Sequence, residues 1–369
     1  MKAARIAFAC GCVLSAGSFV LSGCGGERKG STASGGMTTA TVGFLMETYD
    51  LDRWKRDESY FTDEAKKQGL SVLRAVADGD QDRQNKQADA MLTQGVNALV
   101  VVPRNLNTAA RIVTSAHEKS VRVLAYDRLI RDCAVDIYIT FDNEKVGYLQ
   151  AYGVLQKVPE GNFILLGGAA SDNNARFLRD GQLRAIKEHE AKTGKKITVL
   201  ADPFLDDWDR EEARRRTGNL ITRFNAEGKT IHAIIASNDA TAGGVVAALQ
   251  AERREGKVAV SGQDAELQAC QRIVEGTQAV TVYKPVKLLA EAAARVAGRL
   301  ARGEKPEEII ASLGFRVNEV DNGGRKIPSI FLEPVFVTRE NIAETVIADG
   351  WQSRERVYAN VPEKERPTP

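Results

Sequence analysis

The sequence predicts an α/β chain folded as two doubly wound lobes, and three observations carry that prediction. Short β-branched runs alternate with helical stretches, and that rhythm runs through the chain twice. About 330 of the 369 residues remain once the first few dozen are set aside, more than one hydrophobic core usually manages.

The elements follow in order. Thr41–Met46 reads as a strand, residues 56–68 as a helix stopped by Gly69, and Ser71–Val76 as a second strand. Gln81–Thr93 suits a helix ended by Gly95, then 98–103 is an apolar run of strand length, 108–119 a helix and 121–125 a strand. Strands this uniformly apolar fit a parallel sheet covered on both faces, wound by right-handed crossovers. The pattern restarts near Phe141: strand 162–166, helix 174–190, strand 197–200, helix 210–224, strand 231–236, helix 242–251, strand 258–260.

The front of the chain sets a different expectation. Lys2 and Arg5 precede a short apolar stretch over 6–20, which reads as a secretory signal. Leu21-Ser22-Gly23-Cys24 resembles a bacterial lipobox, making Cys24 the candidate lipidated residue and 1–23 the signal peptide. Residues 24–38 are rich in Gly and Ser, with almost nothing apolar to bury, and read as a flexible tether. Lys and Arg number 51 against 49 Asp and Glu, a near balance that argues against a nucleic-acid partner. Of five cysteines, Cys133 and Cys270 fall in the folded part, on opposite lobes, and are expected as free, buried thiols.

In doubly wound sheets ligands sit beyond the carboxyl ends of the strands. Polar clusters fall there repeatedly: Asp52-Arg53-Trp54, Tyr126-Asp127-Arg128, Ser171-Asp172-Asn173-Asn174, Ser237-Asn238-Asp239, Gly262-Gln263-Asp264-Ala265 and Tyr283-Lys284-Pro285, with Trp208 in the loop after Leu200. A sugar has apolar C–H faces and a rim of hydroxyls. Aromatic rings suit the faces, while Asp, Asn and Arg suit the rim. Each cluster has an ordinary alternative: packing for Trp54 and Trp208, a surface pair for Asp127-Arg128, helix caps for the Asn pairs. Recurrence at successive strand ends favours a site. Trp351 is assigned to packing.

Other chemistries lack residues. His117, His189 and His232 are far apart, so no metal centre is expected. Arg83 stands where a calcium loop over residues 78–82 needs Gly. There is no dinucleotide fingerprint and no nucleophile elbow, and Gly228-Lys229-Thr230 lacks the upstream Gly of a phosphate loop. No enzymatic activity and no cofactor are expected.

Several stretches resemble the D-xylose-binding branch of the periplasmic sugar-binding superfamily (type I, ribose- and galactose-binding-like). They are Leu51-Asp52-Arg53-Trp54, Val123-Leu124-Ala125-Tyr126-Asp127-Arg128, Phe141-Asp142-Asn143-Glu144-Lys145-Val146-Gly147, Asp172-Asn173-Asn174-Ala175, Ser237-Asn238-Asp239-Ala240-Thr241-Ala242-Gly243-Gly244, Ser261-Gly262-Gln263-Asp264-Ala265 and Val282-Tyr283-Lys284-Pro285. The resemblance runs from about residue 42 to 350 and departs at the lipobox, which the soluble members lack.

It implies two Rossmann-like lobes joined by three crossings near Thr140, Lys284 and Ser329. Lobe one would be 39–140 plus 284–328, lobe two 141–283 plus 329–360, and 361–369 a tail. It also implies that Trp54 and Trp208 sandwich a pyranose. Arg53, Asp127 and Arg128 would bind hydroxyls from lobe one, and Asn173, Asn174, Asn238 and Asp264 from lobe two, with Lys284 at a crossing. The implied partners are an aldopyranose, an ABC permease with its ATPase, and the membrane through Cys24, for a chain expected to be a monomer. A sensor-kinase partner in place of the permease stays open at this point.

Overall fold

A computed structural model describes residues 39–366. The expected signal peptide, tether and lipidation site at Cys24 lie outside the described residues. The first seven-stranded sheet grows from β1 (Thr41–Met46), β2 (Ser71–Val76), β3 (Ala98–Val101), β4 (Arg122–Tyr126) and β5 (Ile137–Phe141), interleaved with α1 (Asp52–Lys67), α2 (Gln81–Thr93) and α3 (Ala110–Glu118). The second is built from β6 (Gly161–Ala169), β7 (Ile197–Ala201), β8 (Phe204–Leu205), β9 (Ala233–Ala236), β10 (Ala259–Gln263) and β11 (Val280–Tyr283). Its helices are α4 (Asn143–Lys157), α5 (Asn173–Thr193), α6 (Arg210–Ala226), α7 (Asp239–Ala251) and α8 (Leu267–Glu275). The chain then returns through α9 (Val286–Ala301), α10 (Pro306–Ala311), β12 (Arg316–Asp321) and β13 (Lys326–Leu332) to the first lobe. It ends on the second with β14 (Val335–Val337) and α11 (Arg354–Val357).

The two sheets repeat one winding. Strand order is β12-β13-β5-β4-β3-β1-β2 in one and β14-β11-β10-β9-β6-β7 in the other, β8 pairing β6. In both, the order reverses beside the first strand of the unit, between β1 and β3 and between β6 and β9, where this topology opens a crevice at the carboxyl ends. Phe44, Val100, Leu124 and Ile139 pack against Leu289, Ala293 and Val296 of α9, which therefore belongs to lobe one although its sequence follows lobe two.

Three expectations are corrected. First, α1 begins at Asp52, not near residue 56. Leu51 supplies no side-chain cap, so the start carries no sequence signal, and Arg53 and Trp54 sit in the first helical turn rather than in a loop. Second, the crossing expected near Ser329 falls inside β13. Ser329, Ile330, Phe331 and Leu332 pair with Tyr138, Ile139, Thr140 and Phe141 in the first sheet, so the chain leaves that sheet only after Leu332. Strand β5 escaped the reading of periodicity, and this partner was lost with it. Third, Cys133 is half-buried, whereas Cys270 is buried; both are free. Among the described residues no helix is long and apolar enough to cross a membrane.

Candidate functional site

The strand ends of the two sheets face each other across one small cavity. Leu51, Arg53, Trp54, Asp127, Arg128, Asp172, Asn174, Trp208, Asn238, Gln263, Asp264 and Lys284 line it. Nine of the ten residues expected at the site are in that lining. Asn173, the first residue of α5, is not, and it is half-buried elsewhere. Asn174 is the one of the pair turned toward the cavity, its side chain held by the Asp127 carbonyl and by Asn143. Asp172 and Gln263, members of the same sequence clusters with no contact assigned to them above, also line it.

Lobe one presents a wired set of charges. Arg53 bonds Asp57 through Nε and Nη2, both at 3.2 Å, and Asp127 through Nη2 at 3.1 Å. Asp57 also accepts the Tyr126 hydroxyl. Arg128 reaches Glu47 at 2.9 Å and, across the cleft, Asp172 at 3.0 Å. Burial would raise the Asp127 carboxyl, but Arg53, Lys284 and Arg128 together hold it below the usual range. The guanidinium carbons of Arg53 and Arg128 lie 4.3 and 5.5 Å from the Trp54 ring centroid, so the indole supports the charged pair on one side. The buried Lys284 sits where the chain leaves β11, its ammonium 5.9 Å from the Phe141 ring centroid.

Lobe two presents polar groups with spare capacity. Asn238 caps α7 by accepting from the Thr241 amide at 2.9 Å, which leaves its Nδ2 without a hydrogen-bond partner among the described residues. Gln263 Oε1 and Asp264 Oδ1 are likewise buried and unpartnered; the nearest cation to Asp264 is Arg53, at 3.7 Å. Burial pushes the Asp264 carboxyl up, outweighing Lys284 and Arg53. Buried polar atoms of this kind are rare and call for a partner. Three of them converge on one cavity and leave hydrogen bonds there for a solute to make.

Asp172 is shared. Its Oδ2 accepts from Arg128 at 3.0 Å and from the Trp208 indole at 3.2 Å, while Oδ1 accepts the Asn174 amide at 2.9 Å. The ring of Trp208 lies flush on β6 because residue 168 is Gly: a Cβ there would be 2.1 Å from the indole. Asn174 donates to the Asp127 carbonyl at 3.0 Å and accepts from Asn143 at 3.0 Å, tying the lobes at the crossing.

Trp351 is buried as expected, and it does more than fill space. Its indole donates to the Asp264 and Ala265 carbonyls at 3.1 and 2.8 Å, holding a turn in which both residues have positive φ, 92° and 49°. The three histidines make local contacts far from the cavity: His117 to Asp136, His189 to the Pro159 carbonyl and His232 to the Asn162 amide. Among the described residues no group of His, Cys, Asp and Glu could hold a metal ion.

The sequence is 40% identical over 317 residues to a D-xylose-binding periplasmic protein of Haemophilus influenzae, covering 86% of this chain and 92% of that one. It is 41% identical over 310 residues to a D-xylose-binding periplasmic protein of Escherichia coli strain K12, covering 84% and 90%. Among solved structures, an ABC transporter solute-binding protein from Clostridium phytofermentans with bound β-D-glucose superimposes with a TM-score of 0.75 at 28% identity, covering 86% of this chain and 99% of that one. These relatives are binding proteins rather than enzymes, and their descriptions give no support to a sensor-kinase partner. Residues 42–305 match the family described as a periplasmic binding protein domain. The chain belongs to that family: it is an extracytoplasmic, two-lobed solute-binding protein of the type I fold.

Proposed function

We propose that this protein captures D-xylose, or a closely similar aldopyranose, between its lobes and delivers it to an ABC importer while tethered to the membrane through lipidated Cys24. The observation that carries the sugar reading is the cavity itself. Two tryptophans line it together with charged forks from one lobe and unpartnered Asn238, Gln263 and Asp264 atoms from the other. Such a lining suits a neutral, hydroxyl-rimmed disc. The two relatives of 40% and 41% identity, both D-xylose-binding proteins, support the choice of pentose.

In this reading Arg53, Asp127 and Arg128 take hydroxyls on one side, and Asn174, Asn238 and Asp264 take them on the other. Lys284 reaches the ring at the crossing, and Trp54 and Trp208 flank its faces. Asn173, outside the lining, is assigned no contact. Groups from both lobes meet one ligand, so bound sugar shifts an open–closed equilibrium toward closure, the shape a permease reads. Desolvated hydrogen bonds give selectivity: a buried Asp or Arg facing a missing hydroxyl loses about 1–3 kcal/mol. A hexose is disfavoured where its hydroxymethyl group finds no room.

Titration calorimetry with a panel of pentoses and hexoses tests this. D-xylose is expected to bind most tightly, and a hundredfold excess over its Kd to add about 2.7 kcal/mol of thermal stability. Glucose binding as tightly as xylose would remove the pentose assignment. Trp208→Ala should abolish the sugar-dependent shift. For the anchor, Cys24→Ala should move the protein from the membrane fraction to the soluble one; an unchanged distribution would rule the lipid out.

A further inference from the structure

A ring of alternating charges crosses the mouth of the cleft just outside the cavity. Arg104, in the loop after β3, reaches over to Asp207, in the loop before α6, and makes a two-pronged contact: Nη1 to Oδ1 at 3.2 Å and Nη2 to Oδ2 at 2.7 Å. Arg104 also lies 3.6 Å from the buried Glu47, whose other oxygen holds Arg128 at 2.9 Å. Arg128 bonds Asp172, Asp172 bonds the Trp208 indole, and the backbone N–H of Trp208 donates to Asp207 at 2.8 Å, which closes the ring. Glu47, Arg104 and Arg128 come from lobe one, and Asp172, Asp207 and Trp208 from lobe two.

Resting on the sugar-binding reading, we infer that Glu47, Arg104 and Asp207 form a latch that positions Arg128 and Trp208 and slows release of the bound sugar. None of the three lines the cavity, so none is a contact residue. The Arg104 fork is held in place before it meets lobe two: its Nε donates to the Gly79 carbonyl at 3.0 Å and its amide to Gln84 at 3.2 Å. A planar guanidinium already oriented loses little freedom when a carboxylate docks on it. Asp207 carries its neighbour Trp208 along, so the pair fixes the loop from which the indole projects.

The latch joins elements of opposite lobes, so opening must break it. Capture is a different matter. An aldopyranose is neutral and is not steered by charge, and the latch forms only as the lobes meet. Its loss therefore raises the release rate and leaves the capture rate unchanged. Glu47 divides its two oxygens between the arginines, Oε1 on Arg128 at 2.9 Å and Oε2 at 3.6 Å from Arg104, so it holds them as a pair rather than serving either alone.

Stopped-flow tryptophan fluorescence with D-xylose separates these rates. Arg104→Ala and Asp207→Asn are each expected to speed release about fivefold, the size of a good two-pronged pair at a half-exposed site, with capture unchanged. Arg104→Ala combined with Asp207→Asn should release no faster than either variant alone, because both remove one contact; additive effects would mean that the two residues act apart and would overturn the latch. Raising salt from about 0.05 to 0.5 M should speed release in the wild type and not in Arg104→Ala. Wild-type protein that fails to bind xylose overturns the sugar reading. A binding wild type whose Arg104→Ala variant releases at the same rate overturns the latch alone.

Discussion

The two lobes share one winding and yet arm their strand ends differently. Asp127 follows β4 and Asp264 follows β10, at matching places in the two sheets. Both have positive φ, 62° and 92°, and each donates its backbone N–H to the neighbouring strand at 2.8 Å, to Ile139 and Val282 respectively. The carboxylates then diverge. Asp127 is bonded to Arg53 and held ionised, whereas Asp264 stands 3.7 Å from that guanidinium and is pushed toward its neutral form by burial. Lobe one carries most of the charge network, with the Trp54 indole N–H left unpartnered, and lobe two leaves atoms of Asn238, Gln263 and Asp264 unpartnered. A cleft built this way asks its solute to supply more hydrogen bonds to lobe two than to lobe one.

Breaking the tryptophans should separate the lobes most. Trp54 sits in the main core of lobe one with Phe44, Phe61 and Tyr126, so Trp54→Ala is expected to lower stability by about 3–5 kcal/mol in denaturant titrations. Trp208 packs in a smaller cluster with Val146, Ala175 and Leu178, and Trp208→Ala should cost less stability while removing sugar binding. Equal losses from the two would cancel the distinction.

The paired aspartates give the next effect, with opposite signs. Asp127 has a lowered value in the fold, so its contribution is present above the unfolded value near 4 and disappears as pH falls through the folded value. Asp127→Asn should destabilise the protein at pH 7 by about 1–3 kcal/mol, with the difference shrinking in acid. Asp264 is raised, so its favourable contribution is present at low pH and lost as pH rises. Asp264→Asn should leave stability at pH 7 unchanged or higher while weakening sugar binding. Two variants that shift the pH profile in the same direction would contradict the contrast.

The smallest effect concerns strain. Ala265 has φ 49° in the turn pinned by Trp351. Ala265→Gly relieves that conformation but adds freedom to the unfolded chain, so a net change within about 1 kcal/mol is expected. A larger gain would mean that the turn stores more strain than its φ angles imply.

The sequence alone determined the alternation of strands and helices and hence the double winding. The strand ends could be read from it because polar clusters interrupt apolar runs at fixed places, and nine of the ten chosen residues line one cavity for that reason. Tertiary structure decided the rest. Arg104 and Asp207 are separated by 103 positions and belong to no local pattern, so only the meeting of the lobes makes them a pair. The start of α1 is set by packing rather than by a capping residue, which is why Arg53 and Trp54 joined a helix, whereas Asp172 caps α5 and Asn174, not Asn173, reaches the cavity. Periodicity fixes what a segment becomes, whereas the partner that satisfies a buried charge is chosen by distance in space.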